Sequence, residues 1–111
     1  MEAWQFIERF APRASIAHHI PGRVRIKFDI GAAELSRLRG FRPERLQDAL
    51  NQLRGVSAVR LNMLARSCTV EYDHGVIPAA AWEDLLASRE TPAAQILVNI
   101  LREKHQDTLR A

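Results

Sequence analysis

The chain has 111 residues, 47% hydrophobic and 26% charged, a globular composition that excludes wholesale disorder and low-complexity or collagen-like architecture. Division at this length would leave two pieces too small to bury useful cores, so residues 1–111 read as one domain. The formal charge is +3, with 14 Arg against 2 Lys; residues 1–60 carry a net +5 and residues 61–111 a net −2, which puts any anion-binding surface in the first half.

Trp4, Ile7 and Phe10 recur at spacing three, which predicts an N-terminal helical segment within residues 1–13, ended by Pro12 and needing an apolar cover. Ser15 to Ile20 is β-compatible, but Pro21 offers no N–H and Gly22 adds freedom, so a ladder there is interrupted or lies at an edge. From Arg23 to Phe28 the alternation is strict. Val24, Ile26 and Phe28 point one way and Arg23, Arg25 and Lys27 the other, the pattern of a half-buried strand. Asp29 to Arg42 is a connection with a helical turn through Ala33 to Arg39. Pro43 then opens a helix that presents Leu46, Ala49, Leu50 and Leu53 and stops at Gly55. Val59, Leu61 and Met63 alternate with Arg60 and Asn62; Cys68, Val70 and Tyr72 alternate with Thr69 and Glu71. These two strands predict a hairpin. Pro78 opens a helix faced by Trp82, Leu85 and Leu86. Thr91 and Pro92 start a C-terminal helix over 91–110, where Ala93, Ile96, Leu97, Ile100 and Leu101 keep helical spacing; a fourth strand over 95–101 is the competing reading.

Strand, helix, hairpin, helix is most of a βαββαβ ferredoxin-like sandwich. The expected class is therefore α+β, an antiparallel sheet with helices on one face, its fourth strand absent or replaced by the C-terminal helix. In that topology the third strand lies between the first and second, and Arg25, Glu71 and Arg60 become neighbours on the exposed face. The first strand, Arg23 to Phe28, is left as an open edge that invites pairing with another chain, a second copy included.

Gly55-Val56-Ser57-Ala58-Val59-Arg60-Leu61-Asn62 and Cys68-Thr69-Val70-Glu71-Tyr72-Asp73 resemble the helix-end and hairpin region of heavy-metal-associated (HMA) domains. His18-His19-Ile20-Pro21-Gly22-Arg23-Val24-Arg25 resembles the first strand of a divergent branch of that family, with its His-x-Pro-Gly-Arg run. The resemblance covers residues 15–90. It implies a non-enzymatic accessory module in transition-metal handling, a docking or regulatory partner of a metal-transport P-type ATPase, or a carrier for one. Ordinary HMA domains hold a soft metal between two cysteines in the loop after the first strand, and here Asp29 to Arg42 contains none. Docking is thus favoured over thiolate carriage.

Histidines offer a second kind of ligand. The end of the hairpin, with His74, is expected near the start of the first strand, where His18 and His19 sit. Three imidazoles at one centre would suit Zn, Cu, Ni or haem iron. Adjacent strand residues face opposite sides, so His18 and His19 can share a centre only through a bulge. Arg23, Arg25, Lys27 and Arg60 are the candidate contacts for an anion or a partner. Cys68 has inward parity and reads as a small buried hydrophobe; alone, it excludes an intrachain disulfide or an all-cysteine zinc site.

Phe28 and Tyr72 have the parity of the helix-covered face, so the open face lacks the base-stacking aromatics of RNA-recognition modules. Specific nucleic-acid binding is not expected, though an Arg-rich sheet face leaves weak, salt-dependent binding as a third reading after a metal-free interaction or oligomerisation module. No glycine-rich phosphate loop of the acylphosphatase kind follows the first strand, and no nucleophile–base arrangement is apparent, so an enzyme is not expected. No apolar run approaches a span of about 20 residues. Met1 to Phe10, with Glu2 and Glu8, lacks the build of a secretory signal, and a cytoplasmic location is the expectation.

Overall fold

The structure, a computed structural model, describes residues 1–110. In chain order it comprises α1 (Ala3–Phe10), β1 (Ala14–Ile20), β2 (Arg23–Phe28), α2 (Ala32–Ser36), α3 (Pro43–Asn51), β3 (Val56–Asn62), β4 (Ser67–Tyr72), α4 (Ala79–Leu86) and α5 (Pro92–Arg110), with a 3-10 turn over Ala11–Arg13. The strands form one antiparallel sheet in the order β1-β2-β4-β3. This is the expected α+β class, compatible with a ferredoxin-like fold, and the third strand of the sequence-derived set, β4, lies between the other two.

The fourth position of the sheet is not empty. Ala14–Ile20 fills it as a hairpin partner of β2, from the N-terminal side, so Arg23–Phe28 is an inner strand and the open edge belongs to β1. Pro21 is tolerated for a different reason from edge placement. Ile20 pairs with Arg23, which makes Pro21 and Gly22 a two-residue connection. Proline supplies the fixed φ of the first corner position and Gly22, at φ +90°, the left-handed second one, as in a type II turn. Residues 95–101 are helical, within α5.

Strand alternation sends Val24, Ile26, Cys68, Val70 and Tyr72 to the helix-covered face, where they pack with Trp4, Leu53, Trp82, Leu97 and Ile100. A second cluster joins Phe6 and Phe10 to Ile30 and Leu46. Phe6 stacks on Phe41 at 4.5 Å and meets Phe28 edge-on at 5.6 Å. The N-terminal helix is therefore a wall of the core, and the cover its apolar residues require is the rest of the chain. Sequence spacing found Trp4, Ile7 and Phe10 but not Phe6, which turns toward the second cluster.

Polar groups close the element ends. The Gln5 side chain accepts from the Glu2 N–H at 2.8 Å, and Thr91 Oγ1 accepts from the Ala94 N–H at 3.1 Å, the cap expected of that threonine. The outer edge of β3 is partly covered: Leu61 N–H donates to Gln47 Oε1 at 3.1 Å. Arg13 makes a bidentate pair with Glu34 at 2.8 and 2.9 Å, tying the start of β1 to α2. That hydrogen-bonded guanidinium holds the Glu34 carboxyl below its usual range.

Packing beneath the sheet is incomplete. An apolar cavity of about 100 Å³ lies between the sheet and α1, α3, α4 and α5.

Candidate functional site

The open face of the sheet carries the candidate contacts, and the pairing registers set their order. His18 on β1 is paired with Arg25 on β2, Arg25 with Thr69 on β4, and Thr69 with Arg60 on β3, giving one continuous rung across four strands. The next rung holds Ile20, Arg23, Glu71 and Ala58, and the one on the other side Ser15, Lys27, Ser67 and Asn62. The expected trio of Arg25, Glu71 and Arg60 is thus off by one rung: Glu71 lies opposite Arg23, and Thr69 separates Arg25 from Arg60.

Arg23, Arg25, Lys27 and Arg60 are all exposed. None of the four side chains makes a hydrogen bond or ion pair among the described residues, although other arginine side chains do. A shallow recess of about 240 Å³ between Arg23, Arg60, Thr69 and Glu71 lies between two of these cations. Strands spaced about 4.8 Å apart put Arg25 and Arg60 roughly 10 Å from each other, within the screening length of physiological salt. The face therefore presents a positive field with one carboxylate, Glu71, and a neutral hydroxyl, Thr69, at its middle. Exposed Ile20 adds an apolar contact at its rim.

The three histidines do not converge. The β1–β2 register shifts between Ile16 and His18, leaving Ala17 as an extra residue in β1. Strict alternation from inward Ile16 would turn His18 inward and His19 outward. The bulge reverses this, so His18 stands on the open face beside Arg25 while His19 enters the helix side. The bulge that sequence reasoning required for a shared centre exists, but it exchanges the two faces instead of merging them. His74 is exposed beside the Pro21–Gly22 turn. Among the described residues, no group of three or more His, Cys, Asp or Glu side chains is placed to hold a metal ion.

His19 instead joins a polar cluster that spacing did not reveal. Its ring is almost wholly buried, with Nε2 2.6 Å from the Tyr72 hydroxyl and Nδ1 3.3 Å from Glu83 Oε1. An ionised Glu83 only accepts, so this network assigns the proton of a neutral His19 to Nδ1 and leaves Nε2 to accept from the Tyr72 O–H. Burial pushes the Tyr72 phenol above its ordinary range, and the Glu83 charge adds to that. The cluster fastens edge strand β1 to β4 and α4. Tyr72→Phe removes the donor and strands a buried ring nitrogen, with an expected loss of about 1–3 kcal/mol in urea unfolding. The same change in a His19→Leu background is expected to cost clearly less, and equal costs in both backgrounds would show that the bond contributes nothing.

Cys68 is buried on the inner face of β4, as its parity implied, and burial pushes its thiol up to about 12. It is a free thiol shielded from solvent. No helix among the described residues is long and apolar enough to cross a membrane. Comparison of the chain with protein-family models, curated proteins and solved structures finds no match.

Proposed function

We propose that the chain is a non-enzymatic docking module whose open, cationic sheet face seats an acidic surface of a protein partner. The observation that carries this reading is the set of four exposed cations on one face, Arg23, Arg25, Lys27 and Arg60, whose side chains are without partners among the described residues. Arginine forks match carboxylates bidentately, and an unpaired cluster of them raises both the encounter rate and the selectivity for acidic surfaces. The HMA-like strand and hairpin supply the partner class: a metal-transport P-type ATPase, with docking or regulation as the role. Dispersal of His18, His19 and His74 supports docking over metal carriage, and it equally favours the second reading, an interaction or oligomerisation module that handles no metal.

The test is fluorescence anisotropy of the full chain against polyglutamate and against oligothymidylate, at low and at physiological salt. Polyglutamate is expected to bind, more weakly as salt rises, and Arg23→Ala, Arg25→Ala, Lys27→Ala and Arg60→Ala combined are expected to weaken it by about tenfold or more. Unchanged affinity in the fourfold variant overturns the docking face. Tighter binding to oligothymidylate moves the face to nucleic acid. Titration with Zn, Cu, Ni and haem addresses carriage: micromolar binding that disappears when His18, His19 and His74 are all alanine restores the metal reading.

A further inference from the structure

The apolar cavity lies on the opposite side of the sheet from the docking face and is independent of it. Its lining includes Phe6, Phe28, Leu50, Cys68, Trp82 and Leu97 and carries no charged side chain. Packed cores rarely keep voids larger than a water molecule. A water held here would need two or more polar partners, which an apolar wall does not offer, whereas apolar cavities of comparable size stay dry and take up molecules such as benzene. One of the lining residues bears an unspent donor. The indole N–H of Trp82 is buried with no hydrogen-bond partner among the described residues, and Trp82 is only 7% exposed. Tyr72, the nearest aromatic neighbour at 5.2 Å between ring centroids, has its hydroxyl engaged by His19.

We infer that this cavity is a binding site for a small neutral molecule with an apolar body, about five or six heavy atoms in all, and a single hydrogen-bond acceptor of the ketone, aldehyde or ester class. The wall excludes carboxylates and amines, because a charge placed there has no counter-ion. The cavity surface itself is apolar and does not expose Trp82 Nε1, so the inferred contact requires the indole to turn toward the acceptor. Half-buried Ile7, Ala11, Leu85 and Leu86 line the seam between the end of α1 and α4 and form the approach.

Cyclopentanone, cyclopentane and pentanoate serve as probes on the full chain, read by thermal shift and by the two tryptophan indole N–H resonances, assigned with Trp82→Phe. Cyclopentanone is expected to raise the melting temperature in a dose-dependent way, move the Trp82 indole resonance downfield and bind about fivefold more tightly than cyclopentane. Trp82→Phe is expected to erase that preference while keeping hydrocarbon binding, and pentanoate is expected to do nothing. Failure of both cyclic probes to shift the wild-type protein at concentrations near their solubility overturns the site. Equal affinity for the two, or a preference that survives in Trp82→Phe, overturns the acceptor assignment.

Discussion

Phe10→Ala is expected to destabilise the protein by about 3–5 kcal/mol, the cost of deleting a fully buried aromatic ring. Domains of this size have net stabilities of roughly 5–15 kcal/mol, so this one change should move the urea midpoint by a large fraction of its value. The reason is positional. Phe10 sits at the C-terminal end of α1, 4.7 Å from Phe6 between ring centroids, with the Arg9 and Arg13 guanidinium groups over its ring at 5.5 and 5.3 Å. Loss of the ring opens the second core cluster, removes the seat of two cations and loosens the hinge from which β1 departs. Leu64→Ala, at a side chain that is 91% exposed in the hairpin loop, is the control and should leave the midpoint within about 0.5 kcal/mol. A midpoint unmoved by Phe10→Ala would mean that α1 is an appendage and not a wall of the core.

Stability is expected to fall steeply in alkali, and Cys68 is the cause. In the unfolded chain its thiol titrates near the ordinary value of 9.0, and in the folded protein burial holds it up to about 12. Between these values the unfolded state has lost a proton that the folded state keeps. Unfolding therefore releases a proton, and stability drops as pH rises, by about 1.4 kcal/mol per pH unit and by roughly 4 kcal/mol at pH 12. Below pH 9 both states are protonated and this contribution is flat. Cys68→Val, which extends the side chain by one carbon toward the neighbouring cavity, should remove most of the alkaline limb of a urea midpoint–pH curve. A weaker limb above pH 10 should persist from Tyr72, whose phenol is also raised. The native thiol should resist Ellman's reagent at pH 8. Rapid labelling, or an unaltered limb in Cys68→Val, would show that the thiol is not sealed as described.

Regular periodicity was readable wherever one face of an element is buried. Alternation in Arg23–Phe28 and Ser67–Tyr72 matched the inward and outward faces, and the helices opened by Pro43, Pro78 and Pro92 began where those prolines stand. What escaped is what alternation does not encode. Pro21-Gly22 reads locally as a break, yet two residues of that kind also make a corner, and only the pairing of Ile20 with Arg23 distinguishes the two. The extra residue at Ala17 has no compositional mark, because an alanine fits either face of a strand and the shift shows only in the pairing register. It nevertheless decides which histidine faces the helices, and with it the fate of the three-imidazole centre. Glu83 and Tyr72 as partners of His19 follow from that same inversion. The four cations of the open face were legible because Arg23, Arg25 and Lys27 share parity. Their freedom from partners was not, since Glu71 stands directly opposite Arg23 on the same face, and only the side-chain placement shows that the two make no ion pair among the described residues.

The origin of the outermost strand bears on how the chain must be gathered to fold. In a sandwich closed by its last segment, the strand beside β2 would come from residues near 95–101, at the far side of a loop on the order of seventy residues. At about 0.6 kcal/mol per doubling of loop length, a two-residue corner avoids roughly 3 kcal/mol of chain-closure entropy. That part of the sheet is thus assembled from sequence neighbours, and the long-range entropic penalty falls on the β2–β4 register alone. The C-terminal segment, relieved of any ladder, is left to spend its apolar stripe as a helix.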